Sequence, residues 1–139
     1  MTNLLWPGDH RAGEHMTDRA LLRSMVAVES AWLRALSAAG LAPVDCAAVD
    51  LWPVVGEHDC EQLALTAEDG GNPVIGLAAL LRERTAPAVA AWVHRGLTSQ
   101  DVVDTSLMLG VRAVVNHLRV RLGEQVSTCL LYTSPSPRD

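Results

Sequence analysis

Apolar residues recur at Leu21, Met25, Val28, Trp32 and Leu36, spaced by four, three, four and four positions. That rhythm places them on one face of a helix, and no strand could gather them on one side. Thr17 is well placed as an N-cap, Gly40 supplies a left-handed stop and Pro43 prevents resumption, so a helix is predicted from about Asp18 to Ala39. Asp45 begins a short turn through Val49 that Pro53 ends, and a further helix is predicted from Glu57 to Glu68, closed by Gly70-Gly71. Asn72-Pro73 then sets a capping side chain before a proline at the first helical position. The residues that follow, Val74, Ile75, Leu77, Ala78, Leu80 and Leu81, nearly encircle their helix and predict burial among others. Arg82 and Arg84 close that helix and suit its C-terminal dipole. Pro87 opens a short helix through Val93, and Met108, Val111, Val115, Leu118 and Leu122 mark a long one beginning near Ser99. No alternating strand pattern, internal repeat or low-complexity linker appears, and the predicted fold class is all-α.

The last helix carries the Met108 to Leu122 seam on one side and Val102, Leu109 and Ala113 on another. That is more apolar surface than a chain of 139 residues can cover, and it asks for partner helices. With 49% hydrophobic and 19% charged residues the composition is globular and large enough for a core. A net charge of −5 without a basic cluster makes nucleic acid a poor partner. The opening Met1 to Trp6 has neither the charged nor the apolar region of a signal peptide, and no apolar run spans a bilayer, so no membrane association and a cytoplasmic location are expected. Cys46, Cys60 and Cys129 form no CxxC pair and argue against a disulfide framework. His10, His15, His58 and His117 lack metal-ligand spacing and are expected on the solvated surface. Trp6, Trp32, Trp52 and Trp92 are expected as core anchors.

Composition breaks at the far end. Residues 129–139, "CLLYTSPSPRD", hold the only Tyr and two prolines that forbid a helix there. The run resembles the conceptual translation of a sequencing adapter read in frame after Thr128. It is set aside as a non-native tail, with the native reading frame expected to continue past Ser127.

Between two helical segments lies "HRGLTSQDVVDT", His94 to Thr105. Gly96 can break one helix, Thr98 or Ser99 can cap the next, and Asp101 complements the dipole of its first turn. A single cap leaves the consecutive Thr98, Ser99 and Gln100 unexplained. A helix start with free N–H groups and neighbouring hydroxyls is also a carboxylate or phosphate site. From spacing alone both readings stand, and the structural one is the commoner.

The stretch resembles the second signature block of the fumarase/aspartase superfamily, in the form shared by adenylosuccinate lyases and 3-carboxy-cis,cis-muconate cycloisomerases. The histidine, the Thr-Ser pair and the Asp-x-x-Asp-Thr tail agree in order and spacing. "GGNPVIGLAALLRER", Gly70 to Arg84, resembles the cycloisomerase branch, where adenylosuccinate lyases carry His-Asp; Gly76 departs from a proline that is more frequent there. The opening, Leu5 to Leu36, is similar to cycloisomerase N-termini.

The resemblance implies an N-terminal helical domain over residues 1–98 and the truncated start of a central long-helix bundle over 99–128. The implied activity is closure of 3-carboxy-cis,cis-muconate to 4-carboxymuconolactone in protocatechuate degradation through the β-ketoadipate pathway. Neither metal nor cofactor is implied, and the implied assembly is a homotetramer acting on a small polycarboxylate. Carried over by position, His94 becomes a catalytic or polar acid–base contact, and Thr98, Ser99, Gln100 and Asn72 bind substrate. Asp101 and Asp104 are read as structural, capping and fixing the loop. An adenylosuccinate or argininosuccinate type of lyase releasing fumarate is the alternative within the superfamily. A non-catalytic helical oligomerisation module is the alternative outside it.

Overall fold

A computed structural model describes residues 8, 11 and 13–133. Six α-helices follow one another, α1 Asp18–Ala38, α2 Asp45–Ala48, α3 Asp59–Gly70, α4 Val74–Arg84, α5 Pro87–Ala90 and α6 Ser99–Thr133, with a 3-10 turn at Trp52–Val54. No strand occurs among the described residues, and the all-α class holds. None of the described helices is long and apolar enough to cross a membrane. Trp6 and His10 lie outside the described residues.

The ends of α1 follow from its sequence. Thr17 Oγ1 accepts the Ala20 N–H at 3.2 Å, which satisfies one orphan donor of the first turn. At the other end Gly40 adopts φ 71, and the N–H groups of Gly40 and Leu41 return to Ser37 and Leu36, both at 2.9 Å. This is a Schellman closure, which needs the left-handed residue that glycine supplies without strain.

The buried stripe of α1 is Leu22, Met25, Val26, Glu29, Ser30, Leu33 and Leu36. Leu21, Val28 and Trp32 are only partly buried against the core, so the stripe is rotated from the one that apolar spacing marked out. Its centre includes an acid, Glu29. Against it pack Cys46 of α2, Leu51, Val55, Leu63 of α3, Val74, Leu77 and Leu81 of α4, Val89, Val93 and Val102 of α6. The face of α4 opposite this core is open, with Ile75 exposed, so the expected all-round burial of α4 is not found among the described residues. Trp32, Trp52 and Trp92 sit at the rim of the core rather than inside it. Arg23 lies over the Trp52 ring and Arg95 over the Trp92 ring.

Two arginines expected only to complement a helix dipole instead fasten neighbouring segments. Arg82 donates from Nε and Nη2 to the Val93 carbonyl at 3.3 and 3.1 Å, fixing the chain beyond α5. Arg84 grips both oxygens of buried Asp59, at 2.9 and 2.8 Å, and the Val54 carbonyl at 3.0 Å. The Gly56 N–H also donates to Asp59, at 2.9 Å. One fork therefore ties the end of α4 to the start of α3 and to the preceding turn.

Helix α6 runs for 35 residues and buries only Val102 and Ser106. The seam Met108, Val111, Val115, Leu118 and Leu122 is exposed as its pattern anticipated. Residues 129–133 continue the helix, so the break expected after Thr128 is absent there. Those five positions lie ahead of Pro135 and Pro137, and nothing in Cys129 to Thr133 itself forbids helical backbone. Residues 134–139 are outside the described set.

The Arg84 side chain holds the Asp59 carboxyl below its ordinary value; desolvation opposes this, and the Gly56 N–H and the Arg84 and His58 charges assist it. A carboxyl depressed in the folded state stabilises the fold above its unfolded pKa and loses that contribution as pH falls through its folded value. Asp59→Asn is expected to lower Tm at neutral pH by roughly 4 °C or more. The gap to wild type should close on acidification, as thermal melts at several pH values would show; an equal gap at every pH would contradict the ion-pair reading.

Candidate functional site

The segment that leads into α6 is fastened to α1 before it reaches Thr98. Val93 is fully buried, and the next residue, His94, takes φ 57, a left-handed conformation uncommon for a side chain of this size. Glu29 holds it there by two bonds. The His94 backbone N–H donates to Oε2 at 3.0 Å, and His94 Nδ1 lies 2.6 Å from Oε1. One turn along α1, Trp32 Nε1 donates to the Arg95 carbonyl at 2.8 Å. Gly96 then turns the chain with φ 80 toward the start of α6.

Thr98 and Asp101 cap that start reciprocally. Thr98 Oγ1 accepts the Asp101 N–H at 3.2 Å, while Asp101 Oδ2 accepts both the Thr98 N–H and its hydroxyl, each at 2.8 Å. This is a capping box with aspartate in the third helical position. The Asp101 carboxyl is held below its ordinary value by the Thr98 backbone bond, then by the Thr98 hydroxyl, with a smaller contribution from the His94 charge. Asp101 thus takes the structural role expected of it, and so does Asp104, which accepts from Gln100 Nε2 at 2.6 Å.

Ser99 is differently placed. Its hydroxyl accepts from Asn72 Nδ2 at 3.3 Å, and the same Asn72 accepts the Val74 N–H through Oδ1 at 3.0 Å. Asn72 therefore caps α4 and bridges to α6, bringing the Gly70-Gly71-Asn72 turn against the helix start. As an acceptor from Asn72, the Ser99 hydroxyl keeps its own proton to donate. The N–H groups of Ser99 and Gln100 occupy the first two helical positions and find no acceptor within the helix.

The five residues singled out from the sequence thus fall into four arrangements. Asn72 and Ser99 touch; Thr98 is committed to Asp101; Gln100 lies outward with Asp104. His94 is bonded to Glu29 and joins the group through the loop. Glu29 went unnoticed in the sequence, although an acid flanked at four residues on either side by Met25 and Leu33 was a signal that could have found it. An apolar cleft of about 260 Å³ lies elsewhere, lined by Leu21, Leu22, Met25, Cys60, Leu63 and Pro73.

The remaining histidines are not all simple surface residues. His58 is exposed, 3.3 Å from Asp59, whereas His15 and His117 are half-buried with ring centroids 5.1 Å apart. Solvated surface was expected for both of these. The α1 and α6 backbones bring them together, a long-range contact that spacing cannot report. Among the described residues no three His, Cys, Asp or Glu side chains converge as metal ligands would.

Comparison with known proteins finds similar curated relatives. The chain is 40% identical over 101 residues to a nitrosuccinate lyase of Streptomyces davaonensis, covering 70% of this chain and 21% of the relative. It is 34% identical over 135 residues to a 3-carboxy-cis,cis-muconate cycloisomerase of Pseudomonas putida, covering 92% of this chain and 32% of the relative. A cycloisomerase of the same name from Bradyrhizobium diazoefficiens is 34% identical over 113 residues, covering 78% of this chain and 25% of the relative. The chain spans about a fifth to a third of the length of these relatives. No family model matches it, and no solved structure matches it.

The capping box makes a prediction of its own. Because the folded Asp101 carboxyl is depressed, its contribution is present above the unfolded pKa and is lost as pH falls through the folded value. Asp101→Asn is expected to reduce helicity and Tm at neutral pH, with the difference from wild type vanishing in acid. Circular dichroism melts across that range check it, and a difference independent of pH would assign Asp101 no charged role.

Proposed function

We propose, from the premise that this chain belongs to the fumarase/aspartase superfamily, that it forms the carboxylate-gripping part of a cytoplasmic 3-carboxy-cis,cis-muconate cycloisomerase. The observation that carries this reading is the similarity to the Pseudomonas putida cycloisomerase over 92% of the chain. In the proposed reaction, a step of protocatechuate breakdown in the β-ketoadipate pathway, a substrate carboxylate oxygen adds to one carbon of a double bond and a proton is delivered to the neighbouring carbon. The product, 4-carboxymuconolactone, is an isomer of the substrate acid: the adding carboxylate gives up its charge, one proton is taken up at carbon, and no electron is gained or lost. The whole enzyme is proposed as a homotetramer, in which other copies cover the seam of α6 and help complete each site. Residues 1–98 form its N-terminal domain and Ser99 opens its central bundle.

Within this chain the work divides by what each group has free. The Ser99 hydroxyl and the first N–H groups of α6, those of Ser99 and Gln100, bind a substrate carboxylate, helped by the positive end of the helix dipole. Asn72 orients the Ser99 hydroxyl by donating to it. Thr98 serves binding through the loop geometry that its cap maintains, because its hydroxyl already both donates to and accepts from Asp101. His94 supplies an imidazole, a group that can hold or pass on a proton.

A second reading, elimination from a substituted succinate, is favoured by the 40% identity to the nitrosuccinate lyase. It uses the same groups, since a carboxylate must again be held while a proton moves at a neighbouring carbon. The cycloisomerase reading is preferred for its wider coverage of the chain.

The test is made in the full-length protein, with the reading frame recovered from the source DNA past Thr128, against 3-carboxy-cis,cis-muconate and nitrosuccinate. Turnover of the first alone supports the cycloisomerase, turnover of the second alone the lyase, and turnover of neither contradicts both. A charge-assisted hydrogen bond from Ser99 is worth about 1.5–3 kcal/mol. Ser99→Ala is therefore expected to lower kcat/KM by roughly tenfold to a hundredfold with Tm retained. Thr98→Val, which removes the cap, should reduce stability by about 1 kcal/mol. His94→Gln keeps hydrogen bonding without titration and should lower kcat more than it changes KM. Wild-type kinetics in all three variants would reduce the motif to a structural turn.

A further inference from the structure

We infer that Glu29 is a positioning residue for His94: it fixes the imidazole so that Nδ1 keeps its proton in both charge states and all proton exchange takes place at Nε2. The inference rests on the proposed acid–base role of His94 and adds to it which nitrogen does the work and what sets it there.

Glu29 is 0% exposed, on the face of α1 that otherwise holds Leu22, Met25, Val26 and Leu33. An acid there is costly unless its oxygens are satisfied, and an apolar side chain would fill the place without that cost. Both oxygens are spent on one residue. Oε2 accepts the His94 backbone N–H at 3.0 Å, a group that can only donate. Oε1 faces Nδ1 at 2.6 Å, the separation of a charge-assisted bond. An ionised Oε1 can only accept, which puts the hydrogen on Nδ1 and leaves the neutral ring its lone pair at Nε2.

The ring cannot turn over to exchange its nitrogens without breaking that bond, because the backbone is pinned as well. His94 is held at φ 57 by Glu29 on its N–H and by Trp32 on the following carbonyl, at 2.8 Å from Arg95 O. Among the described residues Nε2 has no hydrogen-bond partner and is not among the buried unsatisfied atoms, so it is open to a ligand. Two charged groups are placed to act on the ring, Glu29 from α1 and Asp101 from the start of α6. The adjacent Arg95 guanidinium is directed over Trp92, 4.4 Å from the ring centre.

The spectroscopic half of the test uses the 139-residue chain labelled with 15N-histidine. Magic-angle-spinning spectra, which tolerate association, report the proton on each ring nitrogen, with His94→Gln assigning the signals. Wild type is expected to show protonated Nδ1 and bare Nε2 in the neutral ring. Glu29→Gln offers one acceptor and one donor; with its oxygen on the backbone N–H, its amide hydrogens face Nδ1 and drive the ring proton to Nε2. In the full-length protein the same substitution should lower kcat by about tenfold or more with little change in KM, since a positioned acid–base group contributes roughly 10²–10⁴.

A wild-type neutral ring protonated at Nε2 would overturn the inference without any variant having to fold. So would full turnover by Glu29→Gln when His94→Gln is impaired, and in that case the acid–base reading of His94 survives. Unimpaired turnover by His94→Gln would instead remove that reading and the positioning role with it.

Discussion

A carboxylate buried in the apolar face of α1 holds two groups of a single residue on the loop before α6, and the placement of everything downstream follows from that grip. Among the described residues the Glu29 carboxylate bonds only to His94, and the loop presents the His94 N–H and Nδ1 together from a left-handed residue. Trp32 fastens the next carbonyl, Gly96 completes the turn, and Thr98 then sits where it can cap α6. Val102 and Ser106 meet α1 in consequence, being the two buried positions of the long helix. The tie costs backbone strain and the desolvation of an acid; two bonds to the carboxylate and one from the indole offset both.

The polar ties divide by how they treat charge. Asp59 and Arg84 form a fork between α3 and α4 that holds the scaffold, with the Arg84 side chain partly in water. Thr98 and Asp101 form an exposed cap that defines the first turn of α6. Among the described residues the Ser99 hydroxyl proton, the first two amides of α6 and His94 Nε2 have no hydrogen-bond partner.

Much of this was legible in the sequence, for local reasons. Thr17, Gly40 and Asn72 act through backbone groups within a few residues, so their roles could be read from position alone. The apolar seam of α6 was legible too, because a stripe that the chain cannot cover is a property of composition and length. The Glu29 tie was not. Several ladders of three and four residues fit α1 equally well, and treating Glu29 and Ser30 as polar turned the chosen ladder toward Leu21, Val28 and Trp32. The acid is buried only because a residue 65 positions away supplies its donors, and sequence spacing holds no record of that pairing. The same holds for Arg84 with Asp59, a contact made by the packing of two helices, and for His15 with His117, where the turn ahead of α1 meets α6. Membership of the superfamily was read from motif order instead, and the 34% identity over 92% of the chain agrees with that reading.

The dependence of the loop on Glu29 is open to a double-mutant cycle on stability, with Glu29→Leu, His94→Ala and the pair measured by urea denaturation. The cycle reports the coupling between the two side chains, together with any relief of the left-handed backbone when Glu29 is removed. A coupling of roughly 1–3 kcal/mol is expected for a buried, charge-assisted pair. Additivity within about 0.5 kcal/mol would show that the two residues do not depend on one another, and would contradict the claim that this contact sets the loop.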